Sequence, residues 1–136
     1  METIKQPTLI IPRRITVDFI INHDYYFIYS STISIMHELP HGQAGIALDK
    51  RCKDKCFRVC VRWKQCRSSG YFNDNALDEI KEEIDACIKR IPRDRPIIPF
   101  PKIGEGNSQM KWYAPKAFDY LTEQINKIKY GASKYE

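Results

Sequence analysis

Hydrophobic and polar positions recur along the chain with periods that predict four strands and two long helices. Residues 14–21 (RITVDFII) and 25–31 (YYFIYSS) are dense in β-branched and aromatic side chains. The turn-like Asn22-His23-Asp24 between them makes the pair read as two strands. Residues 32–49 are broken by Pro40 and Gly42, after which QAGIALDK is able to open a short helix. In residues 57–63 (FRVCVRW) the alternation places Val59 and Val61 on one side and Arg58, Cys60 and Arg62 on the other, a third strand.

The second half is dominated by a period of 3.6. Leu77, Ile80, Ile84, Cys87, Ile88 and Ile91 share one face, and Lys81, Glu82, Asp85 and Lys89 take the other, which predicts an amphipathic helix. Asn75 and Asp78 resemble a capping pair at its start, and Pro92 ends it because the ring cannot continue the hydrogen-bond ladder. RPIIPF, residues 95–100, follows as a short buried strand bounded by prolines. A final helix is expected from about Pro115, a residue suited to a first helical position, with Phe118, Leu121, Ile125 and Ile128 as its buried stripe. Strand, helix, strand, helix implies a βαβ unit with parallel strands and a right-handed crossover, hence an α/β fold.

Between the last strand and the last helix lies PFPKIGEGNSQMKWYAPK, residues 99–116. Such joints usually need only about 2–6 residues, and longer ones are often functional. In an open α/β sheet this loop belongs at the carboxyl ends of the strands, where ligands bind, and it leads into a helix N-terminus whose amides favour anions. The third strand aims its own end, Trp63 and Lys64, at the same edge. Phosphate is the ligand such a rim suits. Lys64 and Lys102 are candidate phosphate contacts, with solvated surface lysines as the alternative, and Tyr71, Trp112 and Tyr113 are candidates to stack on a base or to pack locally. His37 and His41 flank a Pro-Gly loop and offer a general base or a solvent-facing imidazole.

Composition changes this picture in three ways. The 136 residues fit one domain, expected over residues 8–129 with flexible termini at 1–7 and 130–136, and 43% hydrophobic with 29% charged residues is the balance of a soluble globular protein. No apolar run reaches the roughly 18 residues of a membrane span, and residues 1–14 lack a signal core, so the expectation is a cytoplasmic protein without a membrane partner. The net charge of +5 is local: residues 50–67 hold eight of the 22 basic residues and one of the 17 acids, leaving 14 basic against 16 acidic residues elsewhere. With Phe57 and Trp63 interleaved, that stretch also suits single-stranded nucleic acid, and a basic rim around a dinucleotide pocket has the same appearance. The cysteines at 52, 56, 60, 66 and 87 contain no C-x2-C pair, so they read as free thiols, with no metal and no cofactor expected.

IPFPKIGEGNSQMKW resembles the strand-loop of macrodomains, in particular the small ADP-ribosyl glycohydrolase branch with its Pro-[Lys/Arg]-Ile-Gly-x-Gly signature. HGQAGIALDKR, YFNDNALDEI and the Ala-Pro-Lys helix start resemble macrodomain-like proteins of phages and large DNA viruses. The resemblance covers residues 24–128. It implies a three-layer α/β/α single domain with a mixed, mostly parallel sheet that binds ADP-ribose or a related adenine nucleotide, a viral protein of the host cytoplasm acting on host nucleotide signals or ADP-ribose marks. It carries Gly42, Gln43 and Ala44 over to one phosphate-facing loop, and Lys102, Ile103, Gly104, Glu105, Gly106, Asn107 and Ser108 to the loop around the diphosphate and distal ribose. Glycines fit this role because they let backbone amides approach phosphate closely.

The chain also departs from the pattern. Ile28-Tyr29-Ser30-Ser31 stands where phage-type relatives carry Phe-Gly-Asp-Asn. Lys64 matches the glycohydrolase nucleophile, but Asn107-Ser108 occupies the position of the catalytic aspartate, and neither shuttles a proton as a carboxylate does. Glu105 is the acid nearest that position. Capture of the nucleotide, its hydrolysis through Lys64 with Glu105 or a histidine, and nucleic-acid binding therefore stand as three readings; the oligomeric state is left open.

Overall fold

A computed structural model of the chain describes residues 9–12, 14–32, 46–47, 49–63, 70–105, 109–130 and 133–135. Its main sheet is built around β2 (Tyr26–Thr32), which pairs in parallel with β3 (Cys56–Arg62) on one side and β4 (Ile97–Pro99) on the other. Phe27 lies opposite Cys56 in β3 and Ile98 in β4. All three strands therefore end at one edge, the edge occupied by Arg62 and by the loop that follows Pro99.

The period of two in β2 divides the core. Tyr26 and Ile28 join a cluster with α2 (Leu77–Lys89) and α4 (Pro115–Ile128). Phe27 and Tyr29 join a second one with Ile11, Ile15, Ile20, Cys52, Ile98 and Phe100. Apolar side chains thus cover both faces, as a parallel sheet requires. On β3, Val59 and Val61 are buried as their alternation predicts, but Cys60, expected among the arginines, is buried too, its thiol 3.5 Å from that of Cys87 on α2. The order β3, α2, β4 is the expected βαβ unit, with β2 lying between its two strands.

Both long helices form where the 3.6 period places them. Ile80, Ile84, Cys87 and Ile88 are buried along α2 and Ile91 just beyond its end, and Ala117, Leu121 and Ile125 along α4, whose Phe118 and Ile128 are half-buried. The start of α2 differs from expectation. A 3-10 turn, Asp74–Ala76, precedes it, and the Asn73 side chain accepts the Asn75 amide at 2.9 Å, so Asn75 and Asp78 form no capping pair.

The expected strand at 14–21 is instead α1 (Val17–Asn22). Thr16 caps it by accepting the Phe19 amide at 3.2 Å, and Asp18 lies in the first turn, favoured by the helix dipole. At the other end the Lys55 ammonium donates to the carbonyls of Ile20 (3.1 Å), Ile21 (3.3 Å) and His23 (3.0 Å). Capping at both ends outweighs the strand preference of a β-branched run. A second parallel pair joins β1 (Leu9–Ile11) to β5 (Ser133–Tyr135), so part of the tail expected to be flexible is a strand. A four-residue helix, α3 (Met110–Tyr113), completes the described elements. No helix among the described residues is long and apolar enough to cross a membrane.

Candidate functional site

At the carboxyl edge the chain leaves β4 through a bond from the Phe100 amide to the Ile28 carbonyl (2.8 Å), then turns through residues 101–105. Ile103 packs against both core clusters, so the loop sits where the two faces of the sheet meet. Lys102 and Gly104 have φ of +59° and +82°, and Gln109, ahead of α3, has +47°. The left-handed region is uncommon for lysine and glutamine, and backbone strain of this kind clusters at ligand sites. The turn is closed by the Glu105 amide on the Lys102 carbonyl (3.1 Å) and the Lys111 amide on the Gly104 carbonyl (3.2 Å). The amides of Lys102, Ile103 and Gly104 follow one another through this turn at the carboxyl end of β4. Consecutive amides around left-handed residues are the geometry of an anion-binding nest.

Gly104 also has a packing role. A Cβ built on it would lie 2.9 Å from Phe118 Cδ2 and 3.6 Å from Met110 Sδ, so the side of Gly104 facing the protein is filled by α3 and α4. Lys102 is exposed, whereas the Glu105 carboxylate is held by Lys111 Nζ at 3.2 Å. That ion pair ties the loop to α3.

The helix N-terminus expected to receive a phosphate is already occupied. Pro115 has no amide hydrogen, and the next two amides, of Lys116 and Ala117, donate to Asp74 Oδ2 and Oδ1, each at 3.1 Å. A resident carboxylate thus satisfies the positive end of α4. Among the described residues, the turn after β4 is the remaining candidate run of backbone amides at this edge for an anion.

An aromatic ledge borders the turn. The Arg62 guanidinium lies 4.9 Å from the centre of the Tyr71 ring, which stacks on Tyr113 at 4.8 Å and 14°. Beside Tyr113, which is 50% exposed, Trp112 is 81% exposed. A bridge between Arg62 and Tyr71 brings these residues to the end of β3, and α3 carries Tyr113 back to the Gly104 turn. The structure therefore unites four sequence candidates, Lys102, Tyr71, Trp112 and Tyr113, on one edge. Arg62 enters the sequence reading as a polar position of the third strand and part of the basic stretch; its bridge to Tyr71 has no local sequence signal.

The basic stretch is spent differently from expectation. Lys55 caps α1, and Arg51 pairs with Asp49 at 3.1 Å. Phe57 packs edge-on to Tyr26 (5.4 Å) and Trp63 to Phe72 (4.9 Å), so both interleaved rings turn toward the core. Lys64, Gly42, Gln43, Ala44, Gly106, Asn107, Ser108, His37 and His41 lie outside the described residues. Among the described residues no group of three or more His, Cys, Asp or Glu is placed to hold a metal ion. Comparison of the chain with protein-family models, curated proteins and solved structures finds no match.

Proposed function

We propose that the chain captures ADP-ribose or a closely related adenine-nucleotide derivative at the carboxyl edge of its parallel sheet. The observation that carries this reading is the turn at the carboxyl end of β4, where the consecutive backbone amides of Lys102, Ile103 and Gly104 lie around two left-handed residues. Diphosphate oxygens accept from these amides and from the Lys102 ammonium, and the adenine stacks on the ledge of Trp112 and Tyr113. The loop resemblance adds Gly42, Gln43, Ala44, Gly106, Asn107 and Ser108 to the binding set. In this reading α1 on one face and α2 with α4 on the other are the outer layers of a three-layer α/β/α macrodomain-like fold.

Capture is favoured over hydrolysis by the amide and hydroxyl at 107 and 108. Binding needs neither a free carboxylate nor a lysine nucleophile. Tight binding is enough to sequester a nucleotide signal or cover an ADP-ribose mark, the service a viral protein would draw from it.

Tryptophan fluorescence tests the reading. Trp112 is exposed and Trp63 is packed on Phe72, so stacking of a base changes the emission mainly through Trp112. ADP-ribose is expected to quench the wild-type signal with saturation, and Trp112→Phe to lose that response. Absence of both quenching and thermal stabilisation at millimolar ADP-ribose contradicts the proposal.

A further inference from the structure

We propose that Cys60 on β3 and Cys87 on α2 form an oxidisable dithiol that a small peroxide converts to an intramolecular disulfide, locking helix to strand. The two Sγ atoms lie 3.5 Å apart although the residues are 27 positions apart in the chain. Both thiols are buried in the cluster between the sheet and α2, where neither has a role in nucleotide capture. A disulfide needs about 2.05 Å between sulfurs, so closure requires an approach of about 1.5 Å. Cys52 and Cys56, by contrast, sit in the cluster on the other face, and the Cys52 thiol points at the Val17 carbonyl at 3.9 Å.

The surroundings assign the roles. Either thiol is able to donate across the pair; a thiolate on Cys87 is stabilised by donation from the Cys60 thiol and by the positive charges of Arg58 on β3 and Arg90 at the end of α2. These effects outweigh burial and bring the Cys87 thiol down to about 7, while donation to Cys87, burial and the nearby Glu83 push Cys60 up. Cys87 is therefore the attacking sulfur. Its thiolate attacks one oxygen of hydrogen peroxide, the O–O bond breaks, and a sulfenic acid forms as the other oxygen leaves as water. Cys60 then attacks Cys87 Sγ, the S–O bond breaks and a second water departs. Two thiols and one peroxide give one disulfide and two waters. Burial limits the oxidant to small molecules of this class.

The inference is independent of nucleotide binding. To test it, the reduced full-length chain is treated with stoichiometric hydrogen peroxide, unfolded, alkylated and mapped by mass spectrometry. The expected product is a Cys60–Cys87 cross-linked peptide in a chain lighter by two hydrogens, with a melting temperature raised by about 5–15 °C. In Cys60→Ser, Cys87 is expected to accumulate sulfenic acid that dimedone traps, with no thermal gain. Recovery of both wild-type cysteines as alkylated thiols, or cross-links that join other cysteines instead, overturns the proposal; wild-type mapping decides even where the variant fails to fold.

Discussion

The Asp74 carboxylate lies 3.1 Å from the amide of Ala117, a residue 43 positions further along the chain. With its second oxygen on the Lys116 amide it caps α4 from the turn that opens α2. Local sequence around Pro115 offers no capping side chain, since Ala114 stands at the cap position. Asp74→Ala is expected to lower stability by about 1–2 kcal/mol, the cost of a lost cap. Urea denaturation measures it; an unchanged midpoint would show that the carboxylate contributes nothing.

Gly104 and Phe118 set a limit on how the loop is probed. Gly104→Ala places a Cβ 2.9 Å from Phe118 at a φ of +82°, and the strain and overpacking together are expected to cost about 2–4 kcal/mol. Loss of binding in a Gly104 variant would then report misfolding. Phe118→Leu in the same chain relieves the contact but not the φ, so the double variant should recover part of the loss. Full recovery would show that the backbone conformation costs nothing.

Lys102 is the cleaner probe. Glycine accepts a φ of +59° without strain, so Lys102→Gly is expected to keep stability or raise it by up to about 1 kcal/mol. Loss of the ammonium should weaken ADP-ribose binding about tenfold, or about 1.4 kcal/mol. Calorimetric titration reads the affinity and thermal melting the stability.

Tyr120 and Asp85 tie α4 to α2 through a hydrogen bond of 2.5 Å. Donation to that carboxylate, then burial and the negative charge of Asp85, push the phenol up to about 12. A raised pKa in the folded state gives stability that is complete below the unfolded value near 10 and lost as the pH climbs through 12. Melting temperature should therefore fall between about pH 10 and 12, and less steeply in Tyr120→Phe. Parallel profiles for the two proteins would rule out this contribution.

The elements legible in the sequence are those whose signal is local. Ile80, Ile84, Cys87 and Ile88 carry the period of α2, Pro92 its end, and Pro115 the start of α4. The misread elements depend on distant partners. Residues 17–22 look like a strand until Lys55 is known to meet the carbonyls of Ile20, Ile21 and His23. Residues 133–135 look like a tail until β1 is placed beside them. At the site, Lys102 and Gly104 were readable from the loop pattern, but the Phe118 ring against Gly104 and the Asp74 cap on α4 arise from packing across 14 and 43 positions, which no window of sequence records.

The central claim is that backbone amides of the turn after β4 hold the diphosphate, and amide-resolved nuclear magnetic resonance reads it directly. On titration with ADP-ribose, the amide signals of Lys102, Ile103 and Gly104 should shift together with the Trp112 indole and saturate at one ligand per chain. Shifts confined to residues 50–58, or no shifts at all, would contradict it.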